Sequence, residues 1–529
     1  MKSALGLDFG TESVRAVLVD LRGRELASAA AKYPHGQIIE SLPGSKKKLP
    51  PHYALQHPLD WLGSAAKATR AALRQAKGAD VLGIGVDFTS CTMLPTKRDG
   101  TPLCLLKEFA NEPLAWPKLW KHHGAQAQTD RINAVARERG ESFLQRYGGI
   151  IGLEWFFPKM LETLELSPRA YDAADVWLEA GDWFVWQLTG GAAESLPRST
   201  CQAGYKGMWS ATDGYPSEDF LRAVNPNFAG VVKDKMPGRL LAPGVAAGGL
   251  IAEMAKKFGL REGTPVSAAI IDAHAGVPGA GAAESGTLVM VMGTSSCHML
   301  NSEVERSIPG FAGVVQDGIL PGFFGYETGQ AAVGDAFDWL RKLTGQSDFA
   351  ALGREAAALS PGAEGVMCVD WFNGCRTPLM DGSLHGAFAG LALHHRPAHL
   401  YRALLEASAF GLRWIVELLR DGGVPVRKFV ATGGLPHHNP LVVQVYADVL
   451  GENITVHPSK QGPALGAAIL GALAGGAFKS SGDAIRAMAV PKAGAAPIFK
   501  PNRSNRTAYD ALYREYRRLG DFFAAKPKS

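Results

Sequence analysis

Two turns of one type stand at matching places in the chain, Gly10-Thr11-Glu12-Ser13 near the start and Gly293-Thr294-Ser295-Ser296 past the middle. In such a turn the small residues let backbone N–H groups approach an anion, and the hydroxyls add donors. That is phosphate-binding chemistry. Asp8, just before the first turn, could hold Mg²⁺ through water, and Arg15 just after it could neutralise phosphate charge. Either turn alone is ordinary hairpin sequence. Together, opening equivalent halves, they point to a nucleotide held between two domains. A third glycine turn, Thr432-Gly433-Gly434-Leu435, follows a short strand-like run. A fourth, Gln461–Ala468, reads as a helix start with Pro463 in its first turn. Its small residues fit either an adenine lying on bare backbone or tight helix packing.

Asp272 breaks an apolar run where the strand-like VSAAII gives way to an Ala/Gly-rich helix. A charge is costly there unless solvated or paired. A helix N-cap and a general base fit that pattern equally. Three further polar residues lie in aromatic or strand settings: Ser90 after VDFT, Lys206 in YKGMW, and Glu327 in YETGQ. They could offer donors and acceptors to a hydroxyl-rich ligand. Trp120 and Trp155 fit walls for its C–H faces, or the core.

Short β-like runs alternate with helical patterns along the chain, the signature of an α/β protein. LGLDFG and VRAVLVD predict a hairpin, 58–77 a helix and 81–88 a buried strand. LVMVMGTSSCHML at 288–300 repeats the strand, turn and strand order of the first hairpin. A Pro/Gly cluster at 237–249 and a helix over 250–258 precede the second α/β region, giving domains 1–260 and 261–529. Residues 34–57, with Lys46, Lys47 and Lys48 in a row, read as a solvated loop. A charged helix over 506–523 suits a solvated face or a subunit contact in a homodimer, and the tail 524–529 is expected to fray.

Composition removes other classes. A net charge of +5 over 529 residues gives no nucleic-acid or membrane-surface footprint. The six cysteines have no zinc spacing, the N-terminus lacks a signal peptide, and no apolar run makes a convincing span, so a cytoplasmic protein is expected. The P-loop, zincin and α/β-hydrolase signatures are absent. Glycine, 62 residues, is well above the usual ~7%.

Over nearly its whole length the sequence resembles the FGGY carbohydrate kinases. The resemblance rests on GLDFGTESVRA, VDFTSCTMLP, EFANEPLAWPKLWKHH, RYGGIIGLEWFFPKML, CQAGYKGMW, IIDAHAGVPGAG, GYETGQAAVGD and ATGGLPHHNP. The pattern Gly386-x-Phe388-x-Gly390-Leu391, then His399-Leu400 and Ala403-Leu404-Leu405-Glu406, is long enough to be specific. DWFNGCRTP points to the branch acting on ribulose rather than on glycerol, xylulose or gluconate. The resemblance implies two actin/hexokinase/Hsp70-like (ribonuclease H-like) α/β domains around an active-site cleft. It implies ATP, Mg²⁺ near Asp8, and conversion of L-ribulose to L-ribulose 5-phosphate in arabinose catabolism. Asp272 becomes the catalytic base, converging with Ser90, Lys206 and Glu327 on the sugar. Gly10, Thr11, Ser13, Gly293, Thr294, Ser295, Gly433, Gly434 and Gln330 are expected to face the nucleotide. Another pentulose or pentitol (D-ribulose, L-xylulose, ribitol), or an inactive sugar-responsive regulator, stays open. His122 stands where many members carry an acid, and its role is unassigned.

Overall fold

The computed structural model describes residues 1–492 and 494–525, so the tail beyond Ala525 lies outside the described residues. The N-terminal half opens with β1 (Lys2–Phe9) and β2 (Ser13–Asp20), an antiparallel hairpin in which Asp8 faces Arg15. Nearly every residue of β1 is buried, as for a central strand covered on both faces. The next strand, β3 (Glu25–Lys32), pairs with β2. Helix α1 (Pro58–Gln75) starts where the spacing predicts, with Pro58 in its first turn and Trp61, Leu62, Ala65 and Ala72 on its buried face. Strand β4 (Asp80–Phe88) runs parallel to β1 and sets Asp87 beside Asp8. Then come α2 (Phe156–Leu166), α3 (Thr200–Lys206), β5 (Ala246–Gly249), β6 (Pro265–Ser267), β7 (Ile270–Ile271) and α4 (Asp272–Gly279). The sheet order is β3-β2-β1-β4-β6-β5, with β7 also on β4.

The second half repeats this plan. Its hairpin is β8 (Thr287–Met292) and β9 (Ser296–Ser302), followed by β10 (Gly313–Gln316), β11 (Phe324–Gln330) and the long α5 (Pro397–Asp421). Strands β12 (Lys428–Thr432) and β13 (Ile454–Val456) lie parallel to β8. Helices α6 (Gly462–Ala474) and α7 (Arg506–Ala524) flank the short β14 (Ile498–Phe499). The order β10-β11-β9-β8-β12-β13-β14 contains the same succession as the first sheet: two antiparallel neighbours, then two parallel ones. The repeated G-T-x-S turn occupies the same connection in both sheets.

The change of sheet falls between Ile271 and Thr287, later than the division at residue 260 read from the sequence. The Pro/Gly cluster misleads because β6 and β7 return to pair with β4 after it. Helix α6 settles one question that the sequence left open. Its Ala464, Ala467 and Gly471 carbonyls lie so close to Gly6, Gly85 and Gly83 that any Cβ there would overlap them. Gly466 is pressed the same way against Ala275 of α4. The small residues of 461–468 therefore serve close packing between the halves.

Helix α7 turns Tyr509, Tyr513 and Tyr516 inward. Tyr509 accepts from Arg402 at 2.8 Å, so this face belongs to the chain's own core. Among the described residues all six cysteines are free thiols, and no helix is long and apolar enough to cross a membrane.

Candidate active site

Strand order explains why three carboxylates meet. β1, β4 and β7 are parallel neighbours, and Asp8, Asp87 and Asp272 stand at or just past their C-terminal ends. Carboxylates this close cannot all ionise freely. Burial, with Asp8 and Asp272 adding repulsion, pushes Asp87 well above the ordinary range. Both Asp87 oxygens are buried with no donor against them, save a proton shared with Asp8. Asp8, raised by burial, keeps Arg15 at 3.7 Å. An oxygen-only cluster with orphaned acceptors suits a hard divalent cation such as Mg²⁺.

Asp272 is the first residue of α4, and its carboxylate takes up one of the free N–H groups of the first turn. It accepts the N–H of its neighbour Ala273, at 2.7 Å, while the N-cap residue Ile271 has no polar side chain to offer. Burial raises its pKa to about 7, with Asp8 contributing and the Ala273 N–H opposing. A carboxylate poised there is suited to accept a proton near neutrality.

Asp272 lines a cavity of about 490 Å³ together with Gly10, Thr11, Ser90, Lys206 and Glu327. The two halves meet here: Ser90 and Lys206 come from the first, Glu327 from β11 of the second. Lys206 and Glu327 pair at 3.1 Å. Burial works against both charges but is outweighed: Glu327 keeps Lys206 protonated, and Lys206 with His274 holds Glu327 well below the carboxylate range. The His274 ring, on α4, reaches Glu327 at 3.5 Å and lies against Tyr205. Trp120 lines the same cavity and donates to the Thr11 hydroxyl at 3.1 Å. Trp155 is buried and lies beneath the Lys206 ammonium, 5.5 Å away.

The second phosphate-type turn closes with Gly293 N–H on Ser295 O at 2.9 Å, leaving Thr294 exposed. Gly433, at φ 94°, packs on the backbone of Met292, which brings the Gly433–Gly434 turn beside it. Gln330 departs from expectation. Its amide donates to Ser408 O at 2.7 Å and Asp370 at 3.1 Å, and accepts from His298 at 3.0 Å. It lies three residues from Glu327 on one strand, hence on the opposite face, and is committed to a buried network behind the sheet.

The N- and C-terminal domains of the FGGY family of carbohydrate kinases match residues 3–279 and 288–475. The chain belongs to that family. It is 45% identical over 540 residues to a ribulokinase of Anoxybacillus flavithermus, covering 99% of this chain and 94% of that one. A ribulokinase of Shouchella clausii is 46% identical over 537 residues, covering 98% and 95%. The crystal structure of xylulose kinase from Rhodospirillum rubrum superposes with a TM-score of 0.81 at 24% identity, covering 99% of this chain and 100% of that one. The fold is thus the two-domain, actin/hexokinase-like fold of sugar kinases, and the protein is a carbohydrate kinase.

Several residues of this FGGY kinase's cleft escaped sequence reasoning. Glu154, His274, Cys297 and Arg376 line the cavity from four separate stretches of chain. Lys159 acts from behind: its buried ammonium donates to Cys91 O at 2.8 Å and Leu119 O at 2.9 Å, tying the Ser90 loop to the Trp120 loop. His122 is fully buried, 2.8 Å from Glu162. Burial lowers its pKa to about 4 despite that carboxylate, so a neutral imidazole braces the loop below Trp120, outside the cleft lining.

The Lys206–Glu327 pair gives a separable test. Removing one member of a buried pair strands the other charge, at a cost of about 3–5 kcal/mol. Lys206→Met is expected to lower the melting temperature sharply, and adding Glu327→Gln should restore most of it without restoring turnover. A single variant that melts like the parent would show that the pair contributes no stability.

Proposed function

We propose that this kinase transfers the γ-phosphoryl group of ATP to the terminal 5-hydroxyl of a ketopentose, converting L-ribulose to L-ribulose 5-phosphate as in L-arabinose catabolism. The observation that carries the reading is Asp272: a buried carboxylate with a pKa of about 7, in a cavity shared with hydroxyl-binding groups and the Gly10–Ser13 turn. The ribulokinases at 45–46% identity over nearly the full chain support the choice of sugar.

In this reading Ser90, Lys206 and Glu327 hold the sugar hydroxyls by donors and acceptors fixed before binding. The Lys206–Glu327 pair keeps both side chains charged and stationary, so little reorganisation opposes sugar binding. Asp272 takes the proton of the 5-hydroxyl as that oxygen bonds to the γ-phosphorus, while the bond to ADP breaks. Backbone N–H groups and hydroxyls of Gly10, Thr11, Ser13, Gly293, Thr294 and Ser295 receive the β- and γ-phosphates, and Gly433 and Gly434 bare backbone to the rest of the nucleotide. Asp8, through water, with Asp87 beside it, would hold Mg²⁺, which neutralises phosphate charge. Closure of the two halves keeps water from the γ-phosphorus, so that phosphate reaches sugar rather than solvent. Six unbridged thiols accord with work in the cytoplasm.

The test is ADP release measured over L-ribulose, D-ribulose, L-xylulose, ribitol, glycerol and a hexose. L-Ribulose is expected to give the highest kcat/KM and glycerol none. Activity confined to glycerol or the hexose would overturn the sugar assignment, and ATP turnover indifferent to sugar would overturn the kinase mechanism.

A further inference from the structure

Behind the first phosphate-type turn lies a group of side chains with metal-ligand chemistry and no part in the proposed phosphoryl transfer. His35 follows β3, His57 precedes α1, and Asp60 sits in the first turn of α1. Their nearest ligand atoms, two imidazole nitrogens and a carboxylate oxygen, all lie within 4.8 Å of one another. Nδ1 of His35 is 2.9 Å from Asp60 Oδ1, and Nδ1 of His57 is 4.0 Å from the same oxygen. The His35 backbone N–H donates to Asp60 Oδ2 at 2.8 Å, which fixes the carboxylate and turns Oδ1 toward the two rings. The rings stack face to face, 4.4 Å between centroids and 11° apart in plane. Asp60 is buried, whereas the His35 side chain is 40% exposed and gives entry from solvent.

We propose that His35, His57 and Asp60 form a binding site for one borderline divalent cation of the Zn²⁺ or Co²⁺ class, with solvent completing its shell. A His–Asp pair capping a helix would account for His35 and Asp60. His57 is itself the N-cap of α1, accepting the Leu59 N–H, but that long bond does not require its ring to stack on His35 with Nδ1 4.0 Å from the same oxygen. Two imidazoles and one carboxylate suit Zn²⁺ and Co²⁺, whereas Mg²⁺ prefers an all-oxygen set. Burial and the facing His35 favour the neutral form of His57, the form that binds metal. Binding gives up two bonds, the long one from Leu59 N–H to His57 Nδ1 at 3.3 Å and the one between His35 Nδ1 and Asp60 Oδ1 at 2.9 Å, whose proton the cation displaces. The neighbours of these ligands hold the phosphate-type turn: Tyr33 OH donates to Gly10 O at 3.1 Å, and Gln56 Nε2 to Thr11 O at 2.8 Å. The cation would thus sit on the two loops that support the Gly10–Ser13 turn.

The test is titration of the chelator-treated full-length protein with Co²⁺, read by visible ligand-field absorption, and with Zn²⁺ by calorimetry. One equivalent is expected to bind per chain. His57→Ala and His35→Ala should each weaken binding by ~100-fold or more, since even groups that only support a ligand commonly cost ~10–100-fold. Substitution of the exposed His385 by Ala should leave it unchanged. Circular dichroism and melting curves establish that the variants are folded. Absence of stoichiometric binding, or binding that survives both histidine substitutions in folded protein, overturns the site.

Discussion

An Asp272→Asn enzyme is expected to keep its KM values for sugar and ATP within a few-fold while kcat falls by ~10³-fold, within the ~10²–10⁴-fold that a positioned general base supplies. Asn preserves shape and the acceptor for Ala273 N–H, but its amide oxygen is too weak a base to take the sugar proton. The pH profile separates this role from a purely structural one. With a pKa of about 7, raised by burial, the parent should lose kcat/KM about tenfold per unit as pH falls below that value. The variant should lack this acidic limb. Stability should move the other way. A carboxyl whose pKa is raised on folding stabilises the fold while protonated, and that contribution fades as pH rises from the unfolded value toward about 7. At pH 8 the Asn variant should therefore melt no lower than the parent. Near-parental turnover would remove Asp272 as the base, and a large drop in melting temperature would make the activity loss structural.

The sequence made Asp272 visible because it interrupts an apolar run, but it could not separate a base from a cap. The structure adds what the sequence lacked: besides accepting the Ala273 N–H, the carboxylate lines one cavity with Ser90, Lys206 and Glu327. Asp87 was legible in principle: LDFG ending β1 and VDFT ending β4 put the same residue at the same place on parallel strands. Lys159 also left a trace, as a lysine in the otherwise apolar FFPKML. The Lys206–Glu327 contact left none, for it joins residues 121 apart, from a helix of the first half to a strand of the second. The Gln330 assignment failed on period-two alternation, which sets residues three apart on opposite faces. The α/β class and the hairpin that opens each half were legible in the alternation of elements and the repeated turn; the strand order is seen only in the structure. The domain boundary did not, because two short strands return to the first sheet after the glycine-rich break.

Glycine is where composition and mechanism meet, and Gly85→Ala tests the connection. Four glycines along the α6 seam, Gly6, Gly83, Gly85 and Gly466, meet the backbone of the facing element with no room for a methyl group. Gly85 lies on β4, two residues before Asp87, and its Cβ would overlap the Ala467 carbonyl of α6. Neither partner is a flexible side chain. The helix must lift off the sheet, or the sheet must bend. Overpacking of a core costs about 1–3 kcal/mol when side chains can yield, and at least the upper end is expected here because only backbone can move. The effect should reach the chemistry too: α6 also packs on α4, which begins with Asp272, and lifting it moves the carboxylate relative to both phosphate-type turns. Gly85→Ala is therefore expected to lower melting temperature and kcat together. Gly353→Ala, in an outer helix where a Cβ meets nothing within 4 Å, should raise stability by about 0.5–1 kcal/mol. Equal, small effects of the two substitutions would mean that α6 can give way freely. In that case much of the glycine excess would answer to the turns rather than to the seam between the halves.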